Sequence, residues 1–259
     1  MELTLVAIVS AAALFVAMLA FNEIGRRIGT HRLAHETDGL AHGIGAVDGA
    51  VFALLGLLIA FTFSGAASRF EARRQLITQE ANAIGTAYLR VDLLPADAQP
   101  ELRDLFRRYV DLRSVVYAQA ADRAATAAKL AEAAALQEAI WAKALAAGRR
   151  PDATAPAAML LLPALNDMID ITTTRETATR DHPPPVIYLL LAGLSLVGSL
   201  LVGYGMAEDK HRSWLHTVAF AVVLSLTVYV IVDLEFPRVG FIRVDAADRV
   251  LVDLRNSMR

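Results

Sequence analysis

His31 and His35 stand one helical turn apart with Glu36 and Asp38 close by, a spacing that could begin a metal site. No third ligand is fixed by the sequence, so the four read as solvated link residues and no metal is assigned. Asp167, Asp170 and Glu176 could act as acids from one helix, but carboxylates on a polar face are ordinarily solvated, and no catalytic residue is assigned. The chain holds no Gly-x-Ser-x-Gly elbow, no phosphate-binding glycine loop and no His-Glu-x-x-His helix, and it reads as a non-enzyme without a cofactor. With no cysteine, a disulfide framework, a thiolate zinc site and a cysteine nucleophile are all excluded. Two groups with ion chemistry remain. Thr62, Ser64 and Ser68 carry hydroxyls that could replace part of an ion's water shell, or could bond to carbonyls one turn back. Arg69 and Arg73, four residues apart, could attract anions or act as interfacial anchors.

The elements that carry these residues are set by hydrophobicity. Four stretches lack any charged side chain: Leu3 to Phe21, Gly49 to Ser68, Pro183 to Ala207, and Ser213 to Val232. Each has 19 to 25 residues, and about 20 apolar residues in a helix cross a bilayer core of about 30 Å. Backbone amides find no water in lipid, so each stretch is expected to be helical. The hydrophobic fraction of 56% agrees with membrane burial. A formal net charge of -2 gives no polycation signal, so nucleic acid is not expected as a partner. Met1 and Glu2 supply no basic n-region, so the first stretch reads as a retained span. It is expected to end around Asn22, Glu23, Gly25, Arg26 and Arg27, before a polar link to Asp48.

The pairs of spans are split by 114 residues, Arg69 to His182, with 15 Lys/Arg and 15 Asp/Glu. From Gly49 to Leu94 there is no proline, so the second span is expected to continue as one helix about 39 Å beyond the lipid. Pro95, Asp97 and Pro100 break it. A single alanine-rich helix is expected from Ala98 or Gln99 to about Ala147, its middle packing closely on a neighbour in the same chain or another. A loop at Gly148 to Pro156 and a third helix from Ala157 to Thr179 follow. Pro183, Pro184 and Pro185 stop that helix and open the third span.

Ser195/Ser199 and Ser199/Gly203 give the third span a small-residue face, alongside Gly193, Gly198 and Gly205, that favours close helix contact in lipid. That face could serve bundle packing, a subunit contact or a pore. The third and fourth spans form a hairpin around Glu208 to Arg212. Seven Lys/Arg flank the spans on the face of the large segment (Arg69, Arg73, Arg74, Arg175, Arg180, Arg238 and Arg243) against five on the other (Arg26, Arg27, Arg32, Lys210 and Arg212), placing that segment and both termini in the cytoplasm. The division is therefore spans 1 and 2 in 1–68, a helical cytoplasmic domain in 69–182, spans 3 and 4 in 183–233, and a cytoplasmic tail in 234–259. The fold class is all-α, a four-span helical membrane protein with a long helical insertion between spans 2 and 3.

The run from Ala53 through Phe61-Thr62-Phe63-Ser64 to Ser68-Arg69-Phe70-Glu71-Ala72-Arg73-Arg74 resembles the second transmembrane helix of bestrophins. Glu80-Ala81-Asn82-Ala83-Ile84-Gly85-Thr86-Ala87-Tyr88-Leu89-Arg90, followed by Leu94-Pro95, resembles the bestrophin-like set of bacterial membrane proteins. Asp233-Leu234-Glu235-Phe236-Pro237-Arg238-Val239-Gly240 is loosely similar to the acidic turn after the fourth span of bestrophins, without its asparagine and with a later glycine.

The resemblance implies a homopentamer in a bacterial inner membrane, its five second helices lining one pore with an apolar neck and a cytoplasmic vestibule, and inorganic ions as its cargo. Aligned by Arg69-Phe70, the neck positions fall at Ala53, Leu57 and Phe61, where an apolar ring can gate by dewetting or the same side chains can simply pack in a bundle. Ser64 and Ser68 continue that stripe as polar lining, and Arg69 and Arg73 stand at the pore mouth. Ala53 makes a wide constriction compared with the bulkier side chain expected there. Bestrophins hold calcium in an acidic cluster after the fourth span. Asp233, Glu235, Asp245 and Asp248 are only scattered here, and calcium is not carried over. The other function class consistent with the residues is a membrane-anchored oligomeric scaffold or stress sensor acting through its helical domain.

Overall fold

A computed structural model of the chain describes residues 2–34, 44–116, 123–154, 156–208, 213–238 and 240–258. Among the described residues there is no strand. The helices are α1 (Glu2–Leu33), α2 (Ile44–Arg90), α3 (Gln99–Val116), α4 (Arg123–Gly148), α5 (Ala157–Arg180), α6 (Pro185–Gly205), α7 (Trp214–Glu235) and α8 (Asp245–Ser257), with short 3-10 turns at Val91–Leu93 and Met206–Glu208. Among the described residues, four helical stretches are long and apolar enough to cross a membrane, as the charge-free segments require. The chain folds as two compact units, Met1–Ser68 with His182–Phe236, and Arg69–Asp181 with Pro237–Arg259.

In the membrane unit, α1 runs past the expected stop at Asn22 to Arg27 and ends at Leu33. Glu23 accounts for part of this, pairing one turn on with Arg26 at 3.4 Å and Arg27 at 2.8 Å. The rest comes from packing on α6. A Cβ on Gly25 would lie 2.0 Å from Leu200 O, one on Gly29 would lie 2.5 Å from the Ala207 Cβ, and one on Gly203 would lie 1.9 Å from Asn22 O. Only glycine permits that approach. It lets Ser199 Oγ donate to Met18 O at 2.6 Å and Asn22 Nδ2 donate to Ser199 O at 3.3 Å. Thr217 Oγ1 of α7 donates to Asn22 Oδ1 at 3.4 Å. Ser199 and Gly203 of the small-residue face thus pack within the chain against α1, and Gly198 packs against Phe52 of α2. Gly203→Ala is expected to cost about 1–3 kcal/mol by overpacking, whereas Gly193→Ala, where a Cβ meets nothing within 4 Å, is expected to cost nothing. Thermal unfolding of both variants in one detergent checks the contrast.

The second unit is a helical bundle. Ile77, Ile84 and Val91 of α2 and the following turn pack with Leu102, Phe106 and Tyr109 of α3, Ile140 of α4, Leu161, Leu165 and Met168 of α5, and Leu251 of α8. The expected single helix to Ala147 is instead two, α3 and α4, folded against each other. Lys143 Nζ reaches Glu101 Oε1 at 2.6 Å and Gln137 Nε2 donates to Tyr109 OH at 2.9 Å. One continuous helix would hold Glu101 and Lys143 about 60 Å apart. The physical reason lies in α4 itself. Ala133, Leu136, Ile140, Ala144 and Ala147 form a buried stripe that needs the apolar face of α3. α5 matches its expected start, and α6 opens with Pro185 in its first turn.

After α4, Arg150 fixes the connection, pairing with Asp97 at 2.6 Å and Asp152 at 2.7 Å. The Arg150 hydrogen bond holds both carboxyls below their ordinary range. Because the folded-state pKa values are depressed, the stabilisation is present above the unfolded carboxylate pKa and is lost as pH falls through the folded values. Arg150→Ala is therefore expected to speed amide exchange of residues 149–154 at neutral pH and to match the wild type in strong acid.

Candidate functional site

Helix α2 has two faces of different character. One is buried, at Leu55 and Ala66 in the membrane unit and more closely spaced at Arg73, Ile77, Glu80, Ile84, Ala87 and Tyr88 beyond it. The other is uncovered by this chain. In the membrane unit it presents Ala53, Leu57, Phe61, Ser64 and Ser68, spaced as one helical stripe. Leu57 is 52% and Phe61 67% exposed. Gly56, on the same uncovered side, has nothing within 4 Å of where a Cβ would stand. The stripe is thus apolar at its first three positions and hydroxylated at its last two. Thr62 lies off it, its hydroxyl donating to Leu58 O at 2.8 Å, so that hydroxyl is spent on its own helix.

The two arginines at the end of the stripe differ. Arg69 is half-buried. Arg73 is buried, its Nε donating to Ala178 O at 2.9 Å and its Nη2 to Asp181 O at 2.8 Å. It therefore caps the carbonyl end of α5, where the helix dipole favours a cation. Arg74 pairs with Glu71 at 2.9 Å on the exposed side.

Below them sits a buried charge chain that the sequence reading did not find. Glu80 Oε1 accepts from Arg113 Nε at 2.5 Å, and its Oε2 accepts from Arg175 Nη1. Arg175 Nη2 also reaches Asp248 Oδ1 at 3.2 Å, and Arg238 Nη2 reaches the same oxygen at 3.0 Å. The Glu80, Arg113 and Arg175 side chains are all 3% exposed or less. One carboxylate of α2 thus joins α3 and α5, and Arg175 carries the chain on to Asp248 of α8. A signal was present. Arg73, Ile77, Glu80, Ile84 and Ala87 recur at helical spacing, so Glu80 sits in the middle of a stripe that is otherwise mostly apolar. A carboxylate there needs a buried partner.

Of the acidic residues after the fourth span, Asp233 and Glu235 are buried at the end of α7, not free in a tail. Tyr229 OH donates to Asp233 Oδ1 at 3.1 Å, and His182 Nδ1 lies 3.4 Å from Glu235 Oε2 with its ring tilted on Phe236. Asp245 and Asp248 belong to α8, where both pair with Arg238. Among the described residues no three His, Asp or Glu side chains are grouped to hold a metal ion. His31 ends α1, while His35, Glu36 and Asp38 lie outside the described residues. Asp167 and Asp170 are exposed on α5, with Glu176 half-buried a turn and a half on.

Solved structures share this fold. A bacterial Bestrophin homolog from Klebsiella pneumoniae, phased with zinc, matches with a TM-score of 0.65 at 16% identity over 93% of this chain and 98% of its own. A tryptophan-to-alanine variant of that homolog matches with a TM-score of 0.62 at 17% identity over 96% of this chain and 99% of its own. No curated protein matches the chain. The Bestrophin-like domain family matches residues 10–248. With four helical stretches able to cross a membrane and a family match across nearly its whole length, the chain belongs to the Bestrophin-like family.

Proposed function

We propose that this chain assembles as a homopentameric ion channel of the bacterial inner membrane, with the uncovered face of α2 lining a shared central pore. The observation that carries the reading is that face itself. Apolar at Ala53, Leu57 and Phe61 and hydroxylated at Ser64 and Ser68, it is left bare by the chain's own helices along the whole membrane unit. In a ring of copies, Leu57 and Phe61 form the neck that dries and closes, with Ala53 as its wider end. Ser64 and Ser68 offer oxygens to a partly dehydrated ion at the exit of the neck. Arg69 stands near the mouth; Arg73, expected there with it, lies on the buried face of α2 and is tied to the carbonyls of α5, so it fixes the helix and does not face the pore. Both termini and the helical unit lie in the cytoplasm in this arrangement, and the spans bring lipid and inorganic ions, not nucleic acid, into contact with the protein.

Oligomeric state tests the ring. The native mass of the detergent-solubilised protein, with bound detergent subtracted, is expected to equal five copies. One or two copies would remove a shared five-helix pore and leave a membrane-anchored scaffold.

A further inference from the structure

Beyond Ser68, the uncovered face of α2 passes Glu71, which is paired with Arg74 at 2.9 Å, and continues through Gln75, Gln79, Asn82 and Thr86, all exposed. These positions keep the phase of Ser64 and Ser68, since steps of three, four and seven residues return to one side of a helix. From Gln75 to Thr86 the face extends about 17 Å. It carries amides and hydroxyls and no charge.

That neutrality is unusual within this chain. The other helices of the same unit expose charges in the ordinary way, among them Asp104 and Arg108 on α3, Glu132 and Glu138 on α4, and Asp167 and Asp170 on α5. On α2 the only acidic or basic residue between Gln75 and Leu89 is Glu80, and it is turned fully inward between Arg113 and Arg175. Between Gln75 and Leu89 the helix therefore places its one carboxylate where it cannot act on solvent and leaves its outer face neutral, while Glu71, just before this stretch, is paired with Arg74.

Resting on the pore reading above, we propose that Gln75, Gln79, Asn82 and Thr86 form an uncharged polar rail along the cytoplasmic part of the ion path, in contact with hydrated monovalent ions of either sign. Amides and hydroxyls each donate and accept, so they substitute for water around a cation or an anion without favouring one. A face without fixed charge concentrates neither sign. Charge discrimination in this channel is thus weak along the rail, and Asn82, at its centre, is a position where an introduced charge would set it.

The test is reversal potential in a potassium chloride gradient across a planar bilayer holding the reconstituted full-length protein. Asn82→Asp is expected to shift the potential toward potassium and Asn82→Lys toward chloride, each changing the permeability ratio by roughly threefold, the concentrating effect of a ring of like charges. Gln79→Glu and Gln79→Lys, one turn away, repeat the test should the Asn82 variants fail to assemble at the wild-type mass. Opposite shifts support the rail. A wild type that conducts, with variants that shift nothing or shift in the same direction, overturns the rail while leaving the pore standing. A wild type that gives no protein-dependent current overturns the pore reading, and the rail falls with it.

Discussion

Phe61→Ala is expected to raise ion flux through the reconstituted protein by about tenfold, the change that follows if five rings together contribute as little as about 1.4 kcal/mol to the barrier. Phe61 is the largest side chain on the uncovered stripe and, at 67% exposure, is barer than Leu57 at 52%. In the proposed ring it is the side chain with the most bulk to narrow the neck. Leu57, one turn away, is expected to give a smaller rise when cut to alanine, and the double variant the largest. Ala53 is already a methyl, so Ala53→Phe is expected to lower flux by adding a constriction where none exists. Flux measured in liposomes, normalised to the amount of reconstituted protein, gives the order. Phe61→Ala at the wild-type flux, in a protein that still assembles, would place the neck elsewhere.

The second large effect concerns folding. Glu80→Ala is expected to destabilise the protein by about 3–5 kcal/mol, because two buried guanidinium groups would face each other without their shared counter-ion. For a protein of this size that corresponds to a fall of roughly 6–20 °C in Tm. The neighbouring exposed substitution Asn82→Ala serves as the control and is expected to change stability by less than about 0.5 kcal/mol. Replacing Glu80, Arg113 and Arg175 together by leucine and methionine is expected to recover much of the loss, since a buried ion triad is costly to desolvate and apolar side chains fill the same space. A Glu80→Ala protein with unchanged Tm would mean that the charge chain contributes little.

What the sequence made legible, and what it did not, follows from the range of each physical signal. The four spans and the course of α2 beyond the lipid were readable because each is a local property of one segment: length, absence of charge, absence of proline. The bestrophin-like resemblance was carried by such a run, on α2. The turnback between α3 and α4 was not readable, since alanine is an excellent helix former on either side and gives no local sign of where a chain reverses. The length of α1 was missed for a different reason. Arg26 and Arg27 look like a span boundary until Glu23 is paired with them and Gly25 is set against Leu200, a contact between residues far apart in sequence. Glu80 falls between these cases. Its place on the buried stripe was visible, but its partners Arg113 and Arg175 come from two other helices. Leu57, Phe61, Ser64 and Ser68 were picked out by alignment and spacing, whereas the uncovered state of that face is a property of the packed unit alone.

The most direct measurement uses the absence of cysteine from the chain. Single cysteines placed along α2 can be modified during current recording with no background reaction. The account predicts that a charged thiol reagent alters current at Leu57→Cys, Phe61→Cys, Ser64→Cys and Ser68→Cys and leaves it unchanged at Leu55→Cys and Ala66→Cys on the buried face. Sensitivity without that helical period, or no protein-dependent current to modify, would contradict a pore lined by α2.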